Sequence, residues 1–340
     1  MRAAVYYSNQ DIRIEEVEVP KVGAGELLIR TEACGICGTD VLEWYRKKRA
    51  PIVLGHEATG VVAEVGEGVT KFRCGDRVFV SHHVPCGVCR YCLAGKETAC
   101  ETLHTTNYYP GGFSQYIRVP KINVDRGTYL LPASVSFEEG VFIEPLGCVI
   151  RGQRVAKVKK DDTLLILGSG IAGLLHIQLA RLMGVSRLIA TDISDKRLDY
   201  AKRFGADLTI NAGREDVMQA LLDFNGRRAD RVVLCTGASS AYEDALRCVD
   251  RGGVILFFAV PDPSYRAYIP VTDYWRNEVT LTTSYGAAPK DLEEALKIIS
   301  SRSLELSGLI THRLPLSDIA LGFRLVVEGE SLKVVINPNR

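Results

Sequence analysis

The stretch TLLILGSGIAGLLHIQLARLMG, residues 163–184, decides the fold. Its apolar run LLIL ends in Gly168-Ser169-Gly170-Ile171-Ala172-Gly173, and that turn opens a helix. In such a pattern the first glycine makes a tight turn, the second lets backbone approach a pyrophosphate, and the third packs helix on strand. The phosphate then rests on free N–H groups at the positive end of the helix. The main chain at Gly168, Gly170, Ile171, Ala172 and Gly173 is therefore the expected dinucleotide cradle. The next strand, RLIAT, ends on Asp192 about twenty residues further on. A carboxylate there accepts both ribose hydroxyls and repels a 2′-phosphate, so NAD is expected rather than NADP. Read blandly, Asp192 is only a turn or N-cap residue. Arg197 is either a ribose contact or a solvated helix charge.

Working outward, RVVLCTG leads into the helix SAYEDALRCVD and then the apolar run VILFFAV, so strands and helices alternate from about residue 163. That order demands a parallel sheet with right-handed crossovers. Before about residue 145 the text changes to short strands broken by Gly and Pro, such as GELLIRTEA, ATGVVAEVGEGV, DRVFVSHH and FSQYIRVP. Two domains are also the natural division of 340 residues. The expected architecture is α/β, with a β-rich domain of residues 1–145 and 286–340 and a doubly wound domain of residues 146–285.

Within the β-rich part, Cys86, Cys89, Cys92 and Cys100 are separated by two, two and seven residues. Thiolates two residues apart can turn back onto one ion, and four of them complete the closed tetrahedral shell of a structural zinc. An iron–sulfur run closes after three residues and then a proline, which this one does not. A closed shell leaves no open position, so any metal chemistry needs a second site. Cys34, Cys74, Cys148, Cys235 and Cys248 read as small buried hydrophobes. Lys+Arg (42) and Asp+Glu (41) nearly cancel, which removes the electrostatic footprint expected for nucleic acid or a membrane surface. No segment approaches the ~20 apolar residues of a membrane span. The amino terminus lacks the apolar core of a signal peptide, so a cytoplasmic location with reduced thiols is expected.

Upstream lie Cys34-Gly35-Ile36-Cys37-Gly38-Thr39-Asp40 and Gly55-His56-Glu57, and EPLG occupies 144–147. Taken in order with the cysteine lobe, the glycine turn and the closing strand KVVINP, these stretches resemble the zinc-containing medium-chain dehydrogenase/reductase family over essentially the full chain. The resemblance implies a GroES-like catalytic domain carrying the zinc lobe, joined to a Rossmann NAD-binding domain. It also implies two zinc ions per chain. One is structural, on Cys86, Cys89, Cys92 and Cys100. The other is catalytic, on Cys37 and His56, with Glu144 at the third position and Glu57 as ligand or exchanging partner. A carboxylate where liver-type alcohol dehydrogenases have a thiolate resembles the polyol, threonine and sugar dehydrogenase branch, and makes a harder Lewis acid.

The reaction so implied is hydride transfer to NAD from a secondary alcohol of a polyol, inositol or sugar-like substrate, with Thr39 relaying the alcohol proton. Leu42 stands where many members have a histidine, so the relay must end elsewhere. L-Threonine or a simple secondary alcohol is the alternative substrate, and a catalytically silent NAD-binding sensor the non-enzymatic one. His83 falls where threonine dehydrogenases have a histidine near substrate, but His82 and His83 also read as plain loop residues. A homo-tetramer or dimer acting on a small molecule, without nucleic acid or membrane, completes what the resemblance implies.

Overall fold

A computed structural model describes all 340 residues, Met1–Arg340. Its contacts divide the chain into two units, one of Met1–Gly147 with Gly286–Arg340 and the other of Cys148–Tyr285. The second unit carries a single parallel sheet of six strands: β1 (Thr163–Leu167), β2 (Arg187–Asp192), β3 (Leu208–Asn211), β4 (Ala229–Leu234), β5 (Val249–Phe257) and β6 (Thr280–Thr283). Their spatial order is β3-β2-β1-β4-β5-β6. The order reverses beside β1, and ligands of such sheets bind at the carboxyl ends of the strands at that point. Every residue of β1 is buried, as a central strand covered on both faces must be. Leu165, Leu167, Ile189, Val232, Leu234 and Ile255 belong to one apolar core. Burying such side chains supplies about 1.5–3 kcal/mol each, which offsets the local cost of ordering them.

In the first unit the strand Leu27–Gly35 is the hub. It pairs antiparallel with Glu57–Val65, with Tyr116–Val119 and with Lys333–Asn337. The closing strand of the chain thus lies against one of its first. A smaller sheet places Arg2–Ser8 between Asp11–Glu16 and Ile52–Val53. Phe323, from the helix Ile319–Val327, packs its ring against Tyr6 and Phe113 at centroid separations of 5.9 and 6.0 Å. No helix is long and apolar enough to cross a membrane.

Two local readings of the sequence need correction. EPLG begins a helix, Ile143–Val155, that the residue pattern did not reveal. Pro145 sits in its first turn, where an amide N–H would have no helical partner anyway. The division between the units falls inside this helix, between Gly147 and Cys148. Cys74 is exposed rather than buried. It lies in the turn before the strand Arg77–Ser81, and its thiol meets the Ala63 carbonyl at 3.5 Å.

Gly60 marks where two backbones nearly touch, since a Cβ there would stand 2.1 Å from the Arg30 carbonyl oxygen of the neighbouring strand. Gly60→Ala is therefore expected to destabilise the first unit by about 1–3 kcal/mol through forced backbone displacement. A thermal unfolding curve unchanged from the parent chain would count against it.

Candidate functional site

Antiparallel pairing sets Gly35 opposite Glu57, so the ends of two buried strands deliver Cys37 and His56 to the same place. One ligand atom each from Cys37, His56 and Glu57 lies within 4.8 Å of the others. A cluster of sulfur, imidazole nitrogen and carboxylate oxygen is a donor set that suits zinc.

The groups around it fix its geometry. Asp40 is fully buried, accepts from the Cys37 amide at 3.1 Å, and faces His56 Nδ1 at 3.3 Å. That contact leaves Nε2 as the nitrogen available to a metal. Burial alone would push the Asp40 carboxyl up, but His56, Arg46 and the Cys37 N–H together hold it below its usual value. Burial likewise opposes charge on His56, yet Asp40 and Cys37 raise its pKa well above normal. The pocket is thus electrically prepared for a cation, and a bound metal would replace that proton.

Glu57 is also fully buried, and both of its oxygens accept from Lys333 Nζ, at 2.8 and 2.7 Å. The same ammonium donates to the Ile36 carbonyl at 3.3 Å. Burial disfavours the charged lysine, but Glu57 reverses the balance and raises its pKa. Glu144 is 8% exposed and stands outside the three-residue group, although its charge is felt at Lys333 and Tyr108.

Thr39 is exposed, and its hydroxyl lies 3.4 Å from Cys37 Sγ. Arg46 donates to Thr39 twice, from Nε to the carbonyl at 3.0 Å and from Nη2 to Oγ1 at 3.2 Å, and Nη2 also reaches Asp40 at 3.3 Å. His82 and His83 are neither distant nor fully exposed. The His56 and His82 rings are 4.8 Å apart, and those of His82 and His83 are 3.8 Å apart. Burial lowers the pKa of His83 to about 3, helped by His56, His104, Arg46 and Arg49.

The four-cysteine lobe closes on itself, with its Sγ atoms within 4.8 Å of one another. Cys89–Cys92, Cys86–Cys100 and Cys86–Cys92 Sγ separations are 3.5, 3.6 and 3.9 Å. A tetrahedron with zinc–sulfur bonds of about 2.3 Å has edges of about 3.8 Å, so the cage has the right size. Amides of Cys86, Val88 and Cys89 donate to these sulfurs at 3.3–3.5 Å, which favours thiolates.

In the second unit, Gly168 turns the chain at φ +96°. A Cβ on Gly173 would stand 2.0 Å from the Gly168 carbonyl oxygen, while one on Gly170 would meet nothing within 4 Å. Gly173 is thus required by packing, and Gly170 keeps open the space beside the turn. Ile171 and Ala172 begin the helix Ile171–Leu182. Asp192 accepts from the Ser169 amide at 2.9 Å and from the Ser194 amide at 3.0 Å. It therefore sits against the glycine turn and also organises the local backbone, so the plain turn role is realised as well. Arg197 Nη1 lies 3.9 Å from its carboxylate.

Lys333, Arg46 and the orienting role of Asp40 were not legible in the sequence. Lys333 and Glu57 are 276 residues apart, and nothing in KVVINP marks its lysine as an inward cation. Asp40 sits in the CGICGTD stretch but carries no signal of its own beyond that company.

The chain is similar to known proteins along nearly its whole length. The pattern of the alcohol dehydrogenase GroES-like domain matches residues 23–126, and that of the zinc-binding dehydrogenases matches residues 172–301. The chain is 33% identical to an alcohol dehydrogenase of Geobacillus stearothermophilus, covering 97% of each chain. It is 32% identical to a sorbitol dehydrogenase of Bombyx mori, covering 98% of each. The solved alcohol dehydrogenase of Thermus sp. ATN1 superposes with a TM-score of 0.87 at 27% identity, over 99% of both chains.

Removing the ammonium opposite Glu57 leaves a buried carboxylate without its partner. Lys333→Met is expected to cost about 3–5 kcal/mol, whereas Glu57→Gln with Lys333→Met should regain much of that loss. Denaturant unfolding of both variants measures the difference. Equal stability of the single variant and the parent would refute the role given to the pair.

Proposed function

The chain belongs to the zinc-containing medium-chain dehydrogenase/reductase family, and we propose that it oxidises a secondary alcohol of a polyol, inositol or sugar-like substrate with NAD as hydride acceptor. It is an enzyme that acts on a CH–OH group. The observation that carries the finer reading is the Cys37–His56–Glu57 group, half-buried at Cys37 and His56 and fully buried at Glu57, a mixed donor set rather than a closed thiolate shell. In this reading Cys37 and His56 hold a catalytic zinc, and Cys86, Cys89, Cys92 and Cys100 hold a structural one.

When bound, the catalytic zinc supplies the Lewis acidity that lowers the pKa of the alcohol, and NAD takes the hydride. The remaining work belongs to the chain. Asp40 holds the His56 ring through Nδ1. Lys333 occupies both oxygens of Glu57, which favours Glu144 as the third donor and leaves Glu57 to position and to balance charge. Thr39 Oγ1 takes the alcohol proton and releases its own directly to water, because the residue is exposed. That route needs no histidine at Leu42. In the cofactor site, Asp192 has lone pairs left after accepting from Ser169 and Ser194, and these serve the adenosine ribose. Arg197 steadies that carboxylate. A silent NAD sensor would have no use for the intact donor group, which disfavours it. L-Threonine is the second substrate reading, supported by the place of His83 beside His82 and His56.

For assembly we infer a homo-tetramer, or a dimer, joined through β6. This strand pairs on one side only, and the segment before it exposes Tyr268 (87%) and Trp275 (79%).

NAD reduction across a panel of polyols, inositols, L-threonine and simple secondary alcohols tests the substrate class. Polyols should give the highest kcat/KM, and NAD should be preferred over NADP by at least ~10-fold, the scale of one ~1.4 kcal/mol discrimination. Asp192→Ala should narrow that margin. An unmutated enzyme indifferent to the 2′-phosphate would overturn the cofactor assignment.

The two metals should separate cleanly. Cys37→Ser is expected to abolish turnover while the fold and NAD affinity persist. Cys100→Ser should lose one zinc and chiefly stability, because the four thiolates tie down a lobe with little core of its own. Metal analysis with thermal unfolding reads both, and full activity of the Cys37 variant would sink the assignment.

A further inference from the structure

Four consecutive cations, Arg46, Lys47, Lys48 and Arg49, begin at the last residue of the short helix Glu43–Arg46 beside the donor group. An ordinary solvated charge run would point away from the site and carry nothing. Arg46 does not behave so. Its side chain is only 14% exposed and is bound to Thr39 and Asp40 through Nε and Nη2. Its Nη1 has no hydrogen-bond partner. Arg49 has neither an ion pair nor a side-chain hydrogen bond, and it converges on the same aromatic ring. The two guanidinium carbons lie 4.8 and 5.7 Å from the Tyr45 ring centroid. Of the acids in this segment, Asp40 is already shared by Cys37, His56 and Arg46, and Glu43 accepts from the Asn9 amide at 3.3 Å.

Two guanidinium groups share one ring, and the acids nearby do not neutralise both. An anion delivered to the site would supply the missing counter-charge. The planar fork of arginine matches the oxygens of a phosphate, and Lys47 and Lys48 add unpaired positive charge at the rim. Arg46 is two hydrogen bonds from the Cys37 sulfur, by way of Thr39 Oγ1, which puts its guanidinium within reach of a small molecule seated at the donor group.

We propose that Arg46 and Arg49 form an oxyanion subsite that binds a phosphate group carried by the substrate, so that the preferred alcohol is a phosphorylated polyol. The inference rests on the dehydrogenase reading above and narrows its substrate class. Arg46 and Arg49 are specificity-determining residues here. They select the substrate, and the alcohol is activated elsewhere.

The experiment compares kcat/KM for sorbitol with sorbitol 6-phosphate, and galactitol with galactitol 1-phosphate, on the zinc- and NAD-loaded enzyme. Gluconate serves as a carboxylate control. The phosphate esters should be preferred by roughly 10- to 100-fold, the range for charge-assisted hydrogen bonds. Raising salt should shrink the preference. Arg49→Gln should lower the ester-to-polyol ratio, and Arg46→Lys, which keeps charge but loses the fork, should do the same. Equal kcat/KM for ester and free polyol overturns the subsite while leaving the dehydrogenase reading intact, and a preference for gluconate overturns phosphate as its ligand. Calorimetric titration of the enzyme with inorganic phosphate provides a readout independent of turnover. Binding weakened by about tenfold in Arg49→Gln supports the subsite even if no alcohol in the panel is oxidised. Binding unaffected by either substitution, or absent, overturns it.

Discussion

A carboxylate with no access to water governs the first unit. Glu57 is completely buried, and the only ammonium on it, Lys333, arrives from 276 residues further along the chain. Neither charge is tolerable alone in that interior, so the closing strand Lys333–Asn337 is committed to its place against Leu27–Gly35. A Cβ on Gly35 would fall 1.9 Å from Glu57 Oε2, which shows how closely the carboxylate is wedged beneath the strand end that carries Cys37. The ion pair therefore fixes the position of a candidate metal ligand through backbone, and the cost of burying it is accepted where chemistry needs the charge.

The same interior explains why the three titratable groups near Cys37 cannot be understood separately. Asp40, His56 and Glu57 are each buried or nearly so, and burial opposes charge on all of them. What keeps the cluster ionic is mutual attraction: Asp40 with His56 and Arg46, Glu57 with Lys333. Arg46 and Lys333 thus answer the charges of Asp40 and Glu57 from within the protein. The four-cysteine lobe follows the opposite plan. Its four thiols sit within one stretch of chain, Cys86 to Cys100, and its supporting amides are local.

That contrast accounts for what could be read in the residues. Local devices were legible: the glycine turn at 168–173, the cysteine spacing, and the alternation that announced a parallel sheet. Each depends on neighbours in the chain, and periodicity or spacing records them. The long-range partner left no trace, since Lys333 reads as an ordinary strand residue. Arg46 reads as one charge in a basic run, although its partners lie only six and seven residues away. The helix from Ile143 was hidden because Pro145 and Gly147 are helix-breaking letters, tolerated there by position in the first turn and by the close approach of Leu292 to Gly147. Cys74 misled for the reverse reason, since burial preference is a tendency of the residue type while exposure is decided by the turn that carries it.

Placement of charge also separates activation from selection. The donor group and its carboxylates lie in the interior, where effective dielectric is low and every charge must be matched. Arg49 and the lysines lie at the exposed end of the same segment, where unmatched charge costs little until a ligand brings its counterpart. Arg46 joins the two regions, with Nε and Nη2 committed inward and Nη1 left over. In the proposed subsite, a residue so divided would link occupancy of the outer position to Thr39 and Asp40, which it already holds. Substrates that fill that position would therefore gain in orientation at the alcohol as well as in affinity, and the gain would appear in kcat as well as KM.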